Sequence, residues 1–315
     1  MTSAASVDRE AIWTALLAMQ RAAWEQGVAS HAALDTGRVD RALAIARDAV
    51  ARQDADGQLG GTGDGGLVNS GALYEAARLL GETDPAASEA AERQRWWLLR
   101  WSPRDDWGVL HHLRGSEEVW ADSVYMVVPA LVAAGDLPPA DMQYRMHKEQ
   151  LWNGGSGLWS HRLDMATGTL TRPEPWASGN GWVAAGLSRA LHHGVAAQEV
   201  RERWQRDLRA LLDACAVHVT EEGLFHDILD NASTFTDGCA GLMLAYSAFT
   251  GVADGWLDDG YAISAERWLS AALAQVDGHG LVHGVCGAPG FDSRGTSPEA
   301  QAFALMALAA HDRLS

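Results

Sequence analysis

Apolar residues recur at intervals of three and four along most of this 315-residue chain, in stretches of helical length separated by glycine-rich breaks. The pattern predicts eleven helices, over 8–31, 39–52, 67–81, 86–101, 119–134, 138–152, 179–194, 197–219, 234–250, 258–275 and 296–313. The last opens with Thr296 or Ser297 as a cap and Pro298 in the first turn. The two-residue alternation that marks strands is nearly absent. Five breaks share a signature: DADGQLGG at 54–61, DDWGVLHHL at 105–113, GGSGLWSHRL at 154–163, TEEGLFHDIL at 220–229 and DGHGLVHGV at 277–285. Their glycines, Gly57, Gly108, Gly157, Gly223 and Gly280, are 51, 49, 66 and 57 residues apart, the length of a helical hairpin plus one loop. An all-α fold follows: a closed ring of hairpins forming one domain over 1–315. Helices beginning near 8, 67, 119, 179, 234 and 296 would line the inside and the others the outside. The long Gly- and His-rich loops then gather at one end of the ring, where a pocket is expected.

Composition removes several function classes. Lys and Arg number 24 against 41 Asp and Glu, a net charge of −17 that repels a polyphosphate backbone, so no nucleic-acid partner is expected. No run of 18 uncharged apolar residues offers a membrane span, and the opening MTSAASVDRE lacks a basic region followed by an apolar one, so a cytoplasmic location is expected. Three cysteines, Cys215, Cys239 and Cys286, cannot all pair and read as reduced thiols packed as small apolar groups. No HExxH or comparable ligand spacing appears, so no metal or other cofactor is expected. The GxGxxG within GGTGDGG follows no strand and reads as a flexible loop.

The candidate chemistry begins with tryptophan. Fourteen Trp stand against five Tyr and five Phe, and Trp24, Trp107, Trp120, Trp159, Trp176 and Trp182 lie in or beside the loops and inner-helix starts. A broad apolar face with an N–H handle suits a sugar ring, although large aromatics also fill gaps between helices. Trp176 and Trp182 flank Ser178-Gly179-Asn180-Gly181, a helix start where glycines admit close approach and N–H groups can hold an anion. Asp122, in VWADSVYMVVPAL, has an otherwise apolar helical face, with Val119 behind it and Tyr125 and Met126 ahead. Burial there is expected to raise its pKa and favour the protonated form of a general acid. The alternative is a buried Asp paired with Arg or His as structural glue.

Six segments in register across the chain resemble the unsaturated uronyl hydrolases, glycoside hydrolase families 88 and 105: MQRAAWEQGVASHAALDTG, ARDAVARQDADGQL, EEVWADSVYMVVPALVAAG, LWSHRLDMATGTLTRPEPWASGNGWVAAGLSRAL, GLFHDILDNASTF and GLVHGVCGAPGFD with GTSPEAQAF. The resemblance implies an (α/α)6 barrel and a substrate carrying a 4,5-unsaturated uronic acid at its non-reducing end, as polysaccharide lyases leave behind. Such a sugar is an enol ether. Protonation at C4 and addition of water at C5 give a hemiketal that opens and expels the aglycone, so a pair of carboxylates flanking the glycosidic bond is not required. By the same resemblance Asp122 is the catalytic acid, His161 contacts the sugar, and Trp176, Asn180 and Trp182 form the pocket wall with Trp24. Arg162, Arg172 and Arg21 are candidates, by type and location, to receive the ring carboxylate.

Two departures stand out. Asn69 occupies the position of the family's second Asp, where it can hold a hydroxyl or water but cannot titrate, with Asp64 five residues earlier as a possible substitute. Ser178 replaces the arginine that many members carry before GNGW. Two further readings stay open: a sugar epimerase or isomerase on the same barrel, using two opposed histidines, and a non-catalytic oligosaccharide-binding protein, favoured by Asn69.

Overall fold

A computed structural model describes residues 7–61 and 63–314. Most of the opening segment and Thr62 of the glycine-rich loop lie outside the described residues. The described chain forms twelve α-helices, one more than the periodicity predicts: α1 Arg9–Met19, α2 Ala23–Asp35, α3 Val39–Ala51, α4 Tyr74–Gly81, α5 Pro85–Trp96, α6 Ser123–Ala133, α7 Leu137–Leu151, α8 Ala177–His192, α9 Gln198–Ala216, α10 Gly238–Ala253, α11 Gly260–Leu273 and α12 Pro298–Asp312. The extra helix comes from 8–31, which is broken where Gln20 turns extended at φ −66° and ψ 130°. Glu25 fastens the new start, its carboxylate accepting from the backbone N–H groups of Arg21 and Ala22. The break moves α1 from the inner ring to the outer one, against α12.

The inner ring closes through α2, α4, α6, α8, α10 and α12, with α4 preceded by a 3₁₀ turn at Asn69–Leu73. Outer helices alternate with inner ones along the chain, giving six hairpins in a helical barrel, as the spacing predicts. Inner helices approach closely because small residues face each other: a Cβ on Gly71 would come 2.1 Å from the Met126 carbonyl oxygen. A buried ion cluster ties three of them together. Arg189 on α8 donates from Nε and Nη2 to Glu75 at 2.8 and 2.6 Å, and from Nη1 to Asp35 at 2.9 Å.

The recurring glycines are explained by the backbone. Gly57, Gly108, Gly157, Gly223 and Gly280 all have left-handed φ between 72° and 100°, which a Cβ disfavours. Each closes a tight turn between an outer helix and the next inner one; in four of them its N–H donates to the carbonyl three residues earlier, as Gly108 does to Asp105 at 3.0 Å. The signature therefore builds the connections at one end of the barrel.

Those connections also carry short strands that the alternation did not reveal: β1 Glu118–Trp120, β2 Trp152–Asn153, β3 Leu158–Trp159, β4 Arg162–Asp164, β5 Thr169–Arg172, β6 Phe225–His226, β7 Thr236–Asp237, β8 Val285–Cys286 and β9 Arg294–Gly295. Two to four residues are too few to show a period. Strands β1, β4 and β5 make an antiparallel sheet in which Trp120 pairs with Arg162 and Arg162 with Arg172. No helix among the described residues is long and apolar enough to cross a membrane. All three cysteines are free and buried.

Candidate active site

The three residues paired across the small sheet, Trp120, Arg162 and Arg172, form one row, and all three line a cavity of about 330 Å³ at the loop end of the barrel. The pairing of β1 with β4 also decides where Asp122 and His161 meet. The Ala121 N–H donates to the His161 carbonyl at 3.0 Å, and His161 Nε2 then lies 3.3 Å from Asp122 Oδ1. Asp122 is the residue at which α6 begins, not a residue within a helix over 119–134, so it projects from a chain reversal into the cavity with 13% of its side chain exposed.

Electrostatics on this wall reverse the expected ionisation of Asp122. Burial alone pushes its pKa up, but His161, His112 and Arg162 outweigh that and hold it at about 2, so the empty site carries the carboxylate. The histidines are held neutral. Burial lowers His161 despite the attraction of Asp122, and takes His112 down to about 4. Trp120 is the hub of the wall. His112 stacks on its ring at 4.1 Å with the planes 8° apart, and the Arg162 guanidinium lies 3.6 Å from the ring centroid, which two groups can do only on opposite faces. Ser123 holds His112 Nδ1 at 2.9 Å. Two buried polar atoms here, His161 Nδ1 and Arg162 Nε, have no hydrogen-bond partner among the described residues, and Asp122 Oδ1 has only the 3.3 Å approach of His161 Nε2. A fully satisfied structural pair would not leave them so, which weighs against Asp122 as structural glue.

Aromatic rings make the rest of the wall. Trp176 packs on His161 at 4.6 Å and carries Arg172 at 5.4 Å, while its Nε1 donates to Asp227 at 2.9 Å. Trp24 and Trp182 meet edge to face at 6.3 Å, and Phe291 approaches both Trp24 and Trp176. Phe291 has a φ of 54°, a strained value for a bulky residue that sits where such strain tends to be kept, at the rim of a site.

The structure brings Trp24, Asn69, Asp122, His161, Arg172, Trp176 and Trp182 to the cavity, with Arg162 and Asp64 beside them. Asn69 Nδ2 donates to Asp64 Oδ2 at 2.9 Å, so the amide and the loop carboxylate act as a pair. Asn180 is placed elsewhere. It is fully buried, accepts from the Trp159 N–H at 2.8 Å, and donates to the carbonyls of Trp159 and Trp176, clamping β3 to the start of α8. The neighbouring Gly181 serves packing too, since a Cβ there would strike Met243 on α10 at 2.8 Å. Ser178 donates to Asp237 at 2.6 Å behind the wall. Arg21 is exposed and away from the cavity, Trp107 is 75% exposed, and Trp159 is buried among Tyr144 and Trp152.

Sequence reasoning did not single out Glu299, Phe291 or His112 as site residues, yet all three line the cavity. Only His112 carried a signal, as one of two adjacent histidines in a signature loop. His112 and His161 both pack on Trp120, on one wall, which is not the opposed pair that an epimerase requires.

The family model for Glycosyl Hydrolase Family 88 matches residues 14–311. The chain belongs to glycosyl hydrolase family 88. Unsaturated rhamnogalacturonyl hydrolase YesR of Bacillus subtilis is 24% identical over 214 residues, which cover 63% of this chain and 60% of that protein. Among solved structures, a possible member of glycoside hydrolase family 105 from Salmonella enterica superposes with a TM-score of 0.81 at 22% identity, covering 92% of this chain and 83% of its own. The unsaturated glucuronyl hydrolase of Bacillus sp. GL1 gives 0.69 at 17% identity, covering 90% and 85%. At these identities the structural likeness establishes the fold, and the match to YesR spans less than two thirds of that protein's length.

Proposed function

We propose that this family 88 member releases a 4,5-unsaturated uronic acid from the non-reducing end of lyase-generated oligosaccharides, by hydrating the C4=C5 enol ether. The observation that carries the reading is the row Trp120, Arg162 and Arg172 beside Asp122 and His161, all lining one cavity. Two arginines suit a ring carboxylate and aromatic walls suit a sugar face. Two of the proteins named above are an unsaturated rhamnogalacturonyl hydrolase and an unsaturated glucuronyl hydrolase, which agrees with this substrate class.

The low pKa of Asp122 fits a cycle in which substrate supplies the switch. When the ring carboxylate takes up Arg162, it removes one of the charges that stabilise ionised Asp122 and brings a negative charge close. Asp122 then takes a proton and delivers it to C4, returns to the carboxylate, and accepts a proton from the water that attacks C5. His161, neutral and 3.3 Å from the carboxyl, orients it. The hemiketal at C5 opens and the aglycone leaves as its alcohol.

The test is loss of the C4=C5 absorbance with a panel of lyase-generated unsaturated disaccharides, comparing the protein with Asp122→Asn. Consumption that vanishes in the variant supports the reaction and the residue. Binding of a disaccharide with no consumption of any would instead leave an oligosaccharide-binding protein.

A further inference from the structure

Opposite the basic wall stands a carboxyl that the proposed reaction does not use. Glu299, the second residue of α12, is 2% exposed, lines the cavity, and has one carboxyl oxygen, Oε2, without a hydrogen-bond partner among the described residues. An acid in the first turn of a helix ordinarily faces water and the helix dipole. Here it faces inward, and the charged groups nearest to it are also acids: Asp237 at the start of α10 and Glu25 on α2. Cys239 and Cys286 are the other titratable groups beside it, and Asp227 lies next to Cys286. The cations of the site, Arg162 and Arg172, belong to the sheet wall.

We propose that Glu299 is a substrate-binding residue of this site, its carboxyl hydrogen-bonding a hydroxyl of the uronyl ring held between Trp24, Trp182 and Phe291. The inference rests on the uronyl substrate class argued above. Burial, with Asp237 and Glu25 adding to it, lifts the Glu299 pKa to about 8, although its own backbone N–H and the Ser297 hydroxyl pull the other way. Glu299 therefore meets an anionic sugar as a neutral acid that donates a hydrogen bond. Once ionised it loses the donor and repels the ring carboxylate. The site thus selects a monoanionic uronyl sugar at neutral pH and releases its hold on the alkaline side.

The experiment measures kcat and KM for one unsaturated uronyl disaccharide from pH 6 to pH 9.5 in wild type, Glu299→Gln and Glu299→Ala, with binding followed in parallel by Trp fluorescence. If only the protonated form binds, wild-type KM and Kd rise roughly fivefold between pH 8 and pH 9 with kcat steady. Glu299→Gln, which keeps a donor and does not titrate, holds both flat over that interval. Glu299→Ala binds about tenfold more weakly than wild type at pH 6 to 7 and shows no alkaline rise. An alkaline rise of the same size in Glu299→Gln and wild type, or undiminished binding by Glu299→Ala, overturns the role of Glu299 and leaves the hydrolase reading intact. Binding without turnover, with the alkaline rise abolished in Glu299→Gln, removes the hydrolase reading and keeps Glu299. Failure of wild type to bind any uronyl sugar overturns both.

Discussion

The two walls of the cavity hold two carboxyls in opposite conditions. Asp122 sits among His161, His112 and Arg162 and is held at about 2; Glu299 sits among Asp237 and Glu25 and is lifted to about 8. Desolvation pushes both upward, so it does not separate them. What separates them is the kind of neighbour, imidazoles and a guanidinium on one wall and carboxyls on the other, which outweighs desolvation in the first case and adds to it in the second. Groups driven apart in this way are suited to different tasks, one to cycling a proton as substrate changes its surroundings and one to donating a hydrogen bond while neutral. The Arg189 cluster deeper in the barrel shows the third outcome. There every guanidinium nitrogen has a carboxylate partner.

The sharpest way to break the comparison is Asp122→Asn. If this carboxyl moves the proton, turnover falls roughly 10²- to 10⁴-fold in the absorbance assay while the disaccharide still binds. A loss below tenfold would hand the proton to another group in the cavity.

Next in size is a stability effect of opposite sign on the two walls. A Glu whose pKa rises from 4.5 to about 8 on folding leaves the unfolded chain with fewer bound protons, so its contribution to stability is lost as pH rises from about 4.5 to 8 and stays lost above. Glu299→Gln is therefore more stable than wild type by a few kcal/mol at pH 8 and about equal to it at pH 4. Asp122 runs the other way: its depressed pKa adds stability above the ordinary carboxylate range that is lost as pH falls toward 2. Urea unfolding at pH 4 and pH 8 checks the first slope. Equal midpoints for Glu299→Gln and wild type at pH 8 would mean that Glu299 is ionised there and that the walls do not differ.

Much of this arrangement was legible in the chain, and the parts that were not share a cause. The five glycines carried the ring and its loop end because each is required locally, by a left-handed turn. The break at Gln20 was missed because Gln-Arg-Ala has neither Gly nor Pro to announce it. Asp122 stood out as a carboxyl on an apolar stretch, yet its ionisation was inverted, because Arg162 and His161 arrive from forty residues away through a three-residue strand. Glu299 was hidden by its own good local fit: Ser-Pro-Glu is an ordinary helix start, and only the packing of α2 and α10 turns that acid inward. Asn180 looked like a ligand contact because the glycines around it resemble an open helix start, when they serve close packing.

Arg162 links the walls through the substrate, so Arg162→Met sharpens the comparison further. Losing a charge-assisted bond to the ring carboxylate lowers kcat/KM roughly ten- to hundredfold. Removing its positive charge also raises the Asp122 pKa, so the proton that Asp122 must hold is retained to higher pH and the alkaline fall of kcat/KM moves upward. A drop in kcat/KM with an unmoved alkaline fall would separate substrate binding from the tuning of Asp122.

The smallest effect concerns the pair Asn69 and Asp64, where the resemblance implies a second Asp. Asn69 cannot titrate, but its amide is fixed by Asp64, which also accepts from the Gly66 N–H at 2.9 Å and so is itself held in place. With one Nδ2 proton committed to Asp64, the second N–H and the carbonyl oxygen of Asn69 are left for a hydroxyl or a water in the cavity. One such bond contributes about 1 kcal/mol, so Asp64→Ala and Asn69→Ala each lower kcat/KM by about fivefold. Because both act through one contact, the double variant loses little more than either single one, and the coupling is read from the cycle of four kcat/KM values. Additive losses would instead mean that Asp64 reaches the substrate on its own, and that the carboxyl missing at position 69 has been resupplied by the loop.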